Sequence, residues 1–103
     1  MSKEVELLSK ERLQTAARLL KVVAHPVKLE ILQILGNNKH MDVSGLCETI
    51  GAGCEISMMS HHLAKMRDNG IVKSDKNGKQ VFYSIADKSI LKLLDCLNDC
   101  DLI

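Results

Sequence analysis

The hydrophobic period of this chain breaks at Gly70, from steps of three and four residues to strict alternation, and few small folds accommodate that switch. From Glu4 to Val23, apolar residues at Val5, Leu8, Leu13, Ala16, Ala17, Leu19, Leu20 and Val23 predict an amphipathic helix. Pro26 ends it, because proline disfavours helical geometry at the residue before it and suits the first turn of a new helix. A second helix follows over 27–35, closed by Gly36, Asn37 and Asn38. A third is expected over 43–50 with Asp42 as N-cap. After the turn Gly51-Ala52-Gly53, a fourth runs over 55–69 with Ile56, Met59, Leu63 and Met66 as its apolar stripe, stopped by Gly70. Beyond the break, Ile71 to Lys76 and Val81 to Ile85 read as two strands joined by a tight turn at Asn77-Gly78. A last helix, capped by Asp87, carries Ile90, Leu91, Leu93, Leu94, Leu97 and Leu102.

The 103 residues predict one domain, 1–103. Aromatic residues are 2% of the chain, Phe82 and Tyr83, so the core must be aliphatic, which favours packed helices over a β-sandwich. The fold class expected is mainly α with a small β-hairpin, in the order α-α-α-α-β-β-α. Two helices about a glycine turn (43–69) with a β-hairpin immediately after (72–85) describe a winged helix-turn-helix, whose second helix enters the DNA major groove. A helix of about 14 residues is on the order of 21 Å long, enough to present one face to base edges. Ser57, Met58, Ser60, His61, Ala64 and Lys65 lie on or beside its polar side.

A formal net charge of +1 argues at first against a nucleic-acid partner, which usually meets a basic surface. Resolved along the chain, the charge is +3 from Ser57 to Tyr83 and −2 from Ala86 to Ile103, so the positive end coincides with the motif that would meet phosphate. The N-terminus has no uninterrupted apolar run of a signal peptide, and no stretch approaches the roughly 18 apolar residues of a membrane span. A cytoplasmic protein with no membrane partner is expected, its four cysteines reduced.

Three stretches resemble the ArsR/SmtB family of bacterial winged-helix repressors: Leu20-Lys21-Val22-Val23-Ala24-His25-Pro26-Val27-Lys28-Leu29-Glu30-Ile31-Leu32, Ser60-His61-His62-Leu63-Ala64-Lys65-Met66-Arg67-Asp68-Asn69-Gly70-Ile71-Val72, and Gly78-Lys79-Gln80-Val81-Phe82-Tyr83-Ser84-Ile85. The resemblance covers about residues 19 to 100 in order. It implies a transcriptional repressor, not an enzyme, that binds double-stranded operator DNA as a homodimer through helices over 1–24 and 87–103 and leaves it when an inducer binds. It places DNA contacts on Ser57, Met58, Ser60, His61 and Lys65 and the wing on Lys76 to Lys79, with Lys76 and Lys79 as its contacts. The turn Gly51-Ala52-Gly53-Cys54 departs from the family by a residue or two of extra length.

The thiols are the candidate inducer site. Cys47 aligns with the third thiol of the cluster used by the arsenic and cadmium branches, but the two earlier thiol positions, near Met41 and Val43 or Ser44, are empty of cysteine. The acid and histidine pattern of the zinc branches is matched only at Asp87. Cys96 and Cys100, four residues apart, project from one face of the last helix. Soft thiolates at that spacing suit a thiophilic ion such as As(III), Cd(II), Zn(II) or Cu(I), with a third ligand from Cys47, Cys54, a neighbouring Asp or the partner subunit. A thiol redox or persulfide-sensing repressor is the alternative, by disulfide or polysulfide formation. Asp95, Asp99 and Asp101 around the pair attract cations and slow oxidation, which favours the ion. Against both stands simple packing, since unpaired cysteine is among the most buried residue types and Cys47 and Cys96 lie beside apolar stripes. His25 reads as structural or solvent-facing, since no second ligand for it is in view. His61 and His62 point about 100° apart on a helix and cannot chelate one ion together. A cysteine enzyme and a protein-interaction module that has lost DNA binding are the other classes; no Gly-rich phosphate loop or His-Glu-x-x-His helix supports the enzyme.

Overall fold

The computed structural model describes residues 7–103. Helix α1 spans Lys10–Val23 and starts where the Ser9 side chain accepts the Arg12 N–H. The expected start at Glu4, with Val5 on the stripe, lies outside the described residues. Helix α2 is Pro26–Asn37, with proline at its first position and His25 as N-cap. Strand β1, Met41–Asp42, leads directly into α3, Val43–Ile50. After the glycine turn come α4, Ile56–Asp68, then β2, Val72–Asn77, and β3, Gln80–Ile85. A single 3-10 turn, Lys88–Ile90, precedes α5, Leu91–Asn98.

Four local expectations are corrected. Two-residue β1 is too short to leave a period in the sequence, yet it adds a third strand to the hairpin, in the order β1-β3-β2, all antiparallel. In the hairpin the two-residue loop is Gly78-Lys79, not Asn77-Gly78, and Asn77 pairs with Gln80. A loop at Asn77-Gly78 would set Lys76 opposite Lys79, whereas the observed register pairs Lys76 with Val81 and avoids that repulsion. Gly78, at φ +66°, holds the first loop position, which a type II′ turn reserves for glycine. The last helix ends at Asn98, leaving Leu102 and Ile103 exposed beyond it. Ile56, counted on the buried stripe of α4, lies in the first turn and is half exposed.

The core is aliphatic, as the composition requires. Val23, Ile31, Leu32, Leu35, Leu46, Met59, Leu63, Met66, Ile71 and Val72 are buried together with Tyr83. It joins α2, α3 and α4 to the inner face of the sheet. By contrast α1 buries only Val23 and α5 buries none of its residues within the protomer. Among the described residues no helix is long and apolar enough to cross a membrane.

Candidate nucleic-acid interface

One cap and one side-chain bond, both to Asp42, set the position of α3. The Asp42 Oδ1 accepts the Gly45 N–H at 2.8 Å, and its Oδ2 accepts from the Gln80 amide at 3.3 Å, which ties the start of α3 to β3. Helix α4 packs across α3 with Met59, His62, Leu63 and Met66 inward. Its far end is closed by a Schellman motif: the Gly70 N–H donates to the Arg67 carbonyl, the Ile71 N–H donates to the Met66 carbonyl, and Gly70 takes φ +76°. Lys65 and Arg67 in the last turn oppose the negative end of the helix dipole.

The outer face of α4, about 20 Å long, carries the side chains singled out from the sequence. Ser57, Met58, His61 and Lys65 are exposed, and Ser60 is half-buried. Beyond Gly70, Lys73, Lys76 and Lys79 are exposed on the wing, beside exposed Asp75. Arg67 and Asp68 form an exposed pair at 3.6 Å, which leaves the lysines as the uncompensated charge. Hydroxyls, an imidazole and lysines on one helix face, followed by a basic hairpin, can donate to base edges and phosphates.

Behind this face lies a polar cluster of His25, Lys28 and His62, of which the sequence reading places only His25. His25 caps α2 by accepting the Val27 N–H on Nδ1 at 3.1 Å, and its ring lies 4.7 Å from that of His62. His62 is buried, and its pKa falls below the ordinary histidine value because burial disfavours the charged form; His25, Lys28 and His61 add repulsion. Lys28, also buried, and His62 sit at positions where the helical period calls for apolar residues, which is why neither stood out as functional.

The four thiols do not form one set. Cys47 and Cys54 are joined in a disulfide with Cα atoms 5.4 Å apart, so neither is the reduced thiol, or the available third metal ligand, that the sequence suggested. The cause is the glycine turn, which folds Cys54 back onto the last turn of α3. Cys96 and Cys100 are free, Cys96 exposed in α5 and Cys100 half-buried two residues past its end. Among the described residues no three His, Cys, Asp or Glu side chains cluster as metal ligands.

The arrangement has close counterparts. The family model described as "Bacterial regulatory protein, arsR family" matches residues 25–74. The HTH-type transcriptional regulator YgaV of Escherichia coli K12 is 31% identical over 84% of this chain and 85% of its own length. HlyU from Vibrio cholerae N16961 superposes with a TM-score of 0.76 at 30% identity, covering 86% of this chain and 97% of that one. The crystal structure of the transcriptional repressor PagR of Bacillus anthracis superposes with a TM-score of 0.70 at 32% identity, covering 84% and 99%. YgaV and PagR are by name transcriptional regulators, not enzymes.

Proposed function

The chain belongs to the arsR family of bacterial regulatory proteins, DNA-binding transcriptional repressors with a winged helix-turn-helix, and on that premise we propose that it seats as a homodimer on operator DNA through α4 and the wing. The observation that carries this is the exposure of Ser57, Met58, His61 and Lys65 on α4 together with that of Lys76 and Lys79 on the wing, on a chain whose total charge is only +1. Ser60 joins them from the edge of that face. One protomer offers few phosphate contacts, so useful affinity requires two.

The dimer interface in this reading is α1 with α5. Leu13 and Leu20 of α1 are 52% and 48% exposed, and α5 has an apolar stripe with no fully buried residue, so both helices carry apolar surface that the protomer leaves uncovered. Reading two successive major grooves requires the two α4 helices of such a dimer to lie about one DNA turn apart, on the order of 34 Å.

Release is assigned to Cys96 and Cys100. They are free thiols flanked by Asp95, Asp99 and Asp101, a donor set suited to a thiophilic ion such as As(III), Cd(II) or Zn(II). With Cys47 and Cys54 held in a disulfide, the third ligand in this reading is a neighbouring Asp or a residue of the partner subunit.

The test is binding to duplexes from the protein's own promoter. A linear fall of log affinity with log salt, at a protomer concentration where sizing gives a dimer, is the expected result. Absence of binding to any duplex at low salt refutes the repressor reading. Replacing Cys96 and Cys100 by serine should leave operator binding intact and abolish release by Cd(II), Zn(II) and As(III). Normal release from that double variant refutes the α5 site.

A further inference from the structure

The start of α4 lacks the side-chain cap that the three helices before it have. Helices α1, α2 and α3 each begin on a side chain that accepts a backbone N–H, from Ser9, His25 and Asp42. Glu55, at the same position of α4, makes no such bond. The turn before it is short and glycine-rich. Gly51 and Gly53 take φ +104° and +87° in open space, and the Cys54 N–H donates to the Gly51 carbonyl at a long 3.3 Å. What fastens this turn covalently is the Cys47–Cys54 bond, from the buried side of α3 to a residue just ahead of α4.

The two sulfurs differ in access. Cys47 is 8% exposed and belongs to the core. Cys54 is half-buried and lines a cleft of about 310 Å³ with His25, Glu55, Met58 and His62. Cleft and bond therefore meet beside the first turn of α4, where Ser57 and Met58 face outward. A regulator that meets DNA works where thiols are ordinarily kept reduced, and a disulfide there is typically transient or redox-sensing.

We propose that the Cys47–Cys54 bond is a redox modification site controlling the helix-turn-helix: closed, it fixes the first turn of α4 for DNA binding, and opened by a dithiol reductant, it frees that turn and lowers operator affinity. This rests on the reading of α4 as the DNA-contacting helix. In the opening reaction a thiolate of the dithiol attacks Cys54 Sγ through the cleft, the Cys47–Cys54 bond breaks, and Cys47 leaves as a thiolate that takes up a proton. The second thiol of the reductant then displaces Cys54, which is protonated in turn. Two electrons and two protons pass from the dithiol to the protein, and the reductant ends as a disulfide.

The site is separate from Cys96 and Cys100, so the experiment uses the chain with both of those changed to serine, in buffer with a metal chelator. Oxidised protein and protein reduced with dithiothreitol are compared on a fluorescent promoter duplex, with thiol titration reporting none and two thiols respectively. We expect reduction to weaken operator binding at least tenfold, and reoxidation with a diazene oxidant to restore it. Hydrogen exchange should lose protection at the amides of residues 56–59 on reduction and keep it in α2. Cys54→Ser should bind as the reduced form and ignore dithiothreitol. Equal affinity of the two redox forms, or two free thiols in protein treated with oxidant, overturns the switch while leaving DNA binding by α4 intact. No binding of either form to any duplex at low salt overturns both readings.

Discussion

Replacing Lys76 and Lys79 by glutamine separates phosphate contact from ordinary solvation of a hairpin. Both side chains are exposed, one at the end of β2 and one in its two-residue loop, and neither has a salt-bridge partner among the described residues. If both wings of a dimer lie on DNA, the double variant removes about four cation–phosphate contacts. Each contact contributes roughly 0.9 to the slope of log affinity against log salt, so the slope should flatten by about 3.6. Between 50 and 200 mM salt that corresponds to a fall in affinity about 150-fold smaller for the variant than for the parent chain. Fluorescence anisotropy at four or five salt concentrations gives both slopes, and a circular dichroism melt checks the fold. The glutamines keep the strand register because Lys76 faces Val81, not an acid. A change of about 1.8 would mean that one wing engages. An unchanged slope would refute phosphate contact by the wing and return the lysines to a solvating role.

Other consequences concern stability. Cys54→Ser removes the cross-link over a loop of about eight residues, which by the chain-entropy model costs about 2.5 kcal/mol, or on the order of 10 °C in Tm for a domain of this size. Calorimetry at fixed protomer concentration should find it, and a shift under about 2 °C would show that the bond does not constrain the unfolded chain. His62 predicts an acid sensitivity: its folded pKa lies below the ordinary 6.5, so the unfolded chain binds the proton first, and stability falls as pH drops from about 6.5 toward the folded value. His62→Leu should flatten the Tm profile in that window; a parallel profile would refute the assignment. Asp87, held below 3.8 by accepting from the Ser89 N–H and hydroxyl, adds stability that is lost only under stronger acid, as pH falls through its lowered pKa. Gly70→Ala meets no atom within 4 Å but must adopt φ +76°, so it should cost about 1 kcal/mol from backbone strain alone. Unchanged Tm would mean that the α4 cap relaxes to another geometry.

The fold was legible wherever local rules and burial agree. The stripe of Met59, Leu63 and Met66 and the stop at Gly70 place α4 within a residue of its observed span, because helical period and Schellman cap act within a few positions of each other. Elements fixed by partners were harder to read. Strand β1 exists because Met41 and Asp42 pair with Tyr83 and Phe82 some forty residues away, and two residues cannot announce a period. The hairpin loop was displaced by one position because cross-strand pairing outweighs the local preference of Asn-Gly. The last helix stopped early although its leucines continue at helical spacing through Leu97 toward Leu102. Periodicity reports which face could be buried, and in one protomer Leu93 and Leu94 pack against the core while no residue of that face is fully covered.

The site divides along the same line. Exposed polar residues on α4 and lysines on the wing could be read because they are defined by what they do not pack against, and a helical wheel gives that directly. The cysteines could not, because their pairing depends on chain direction after a turn. Cys47 and Cys54 are separated by three residues of helix and a turn in which Gly51 and Gly53 take positive φ, and only that backbone path returns Cys54 to α3. With the path known, the extra length of the turn has a physical use, since the chain must reverse and still bring the two Cα atoms to 5.4 Å. The uncapped Glu55 then follows as part of the same arrangement. A helix start fastened by a side-chain hydrogen bond is set permanently by the sequence, whereas one fastened by a bond that thiols can open is set by the reducing power around it. The first turn of α4, the helix proposed to meet DNA, is where that difference would have the largest effect on binding.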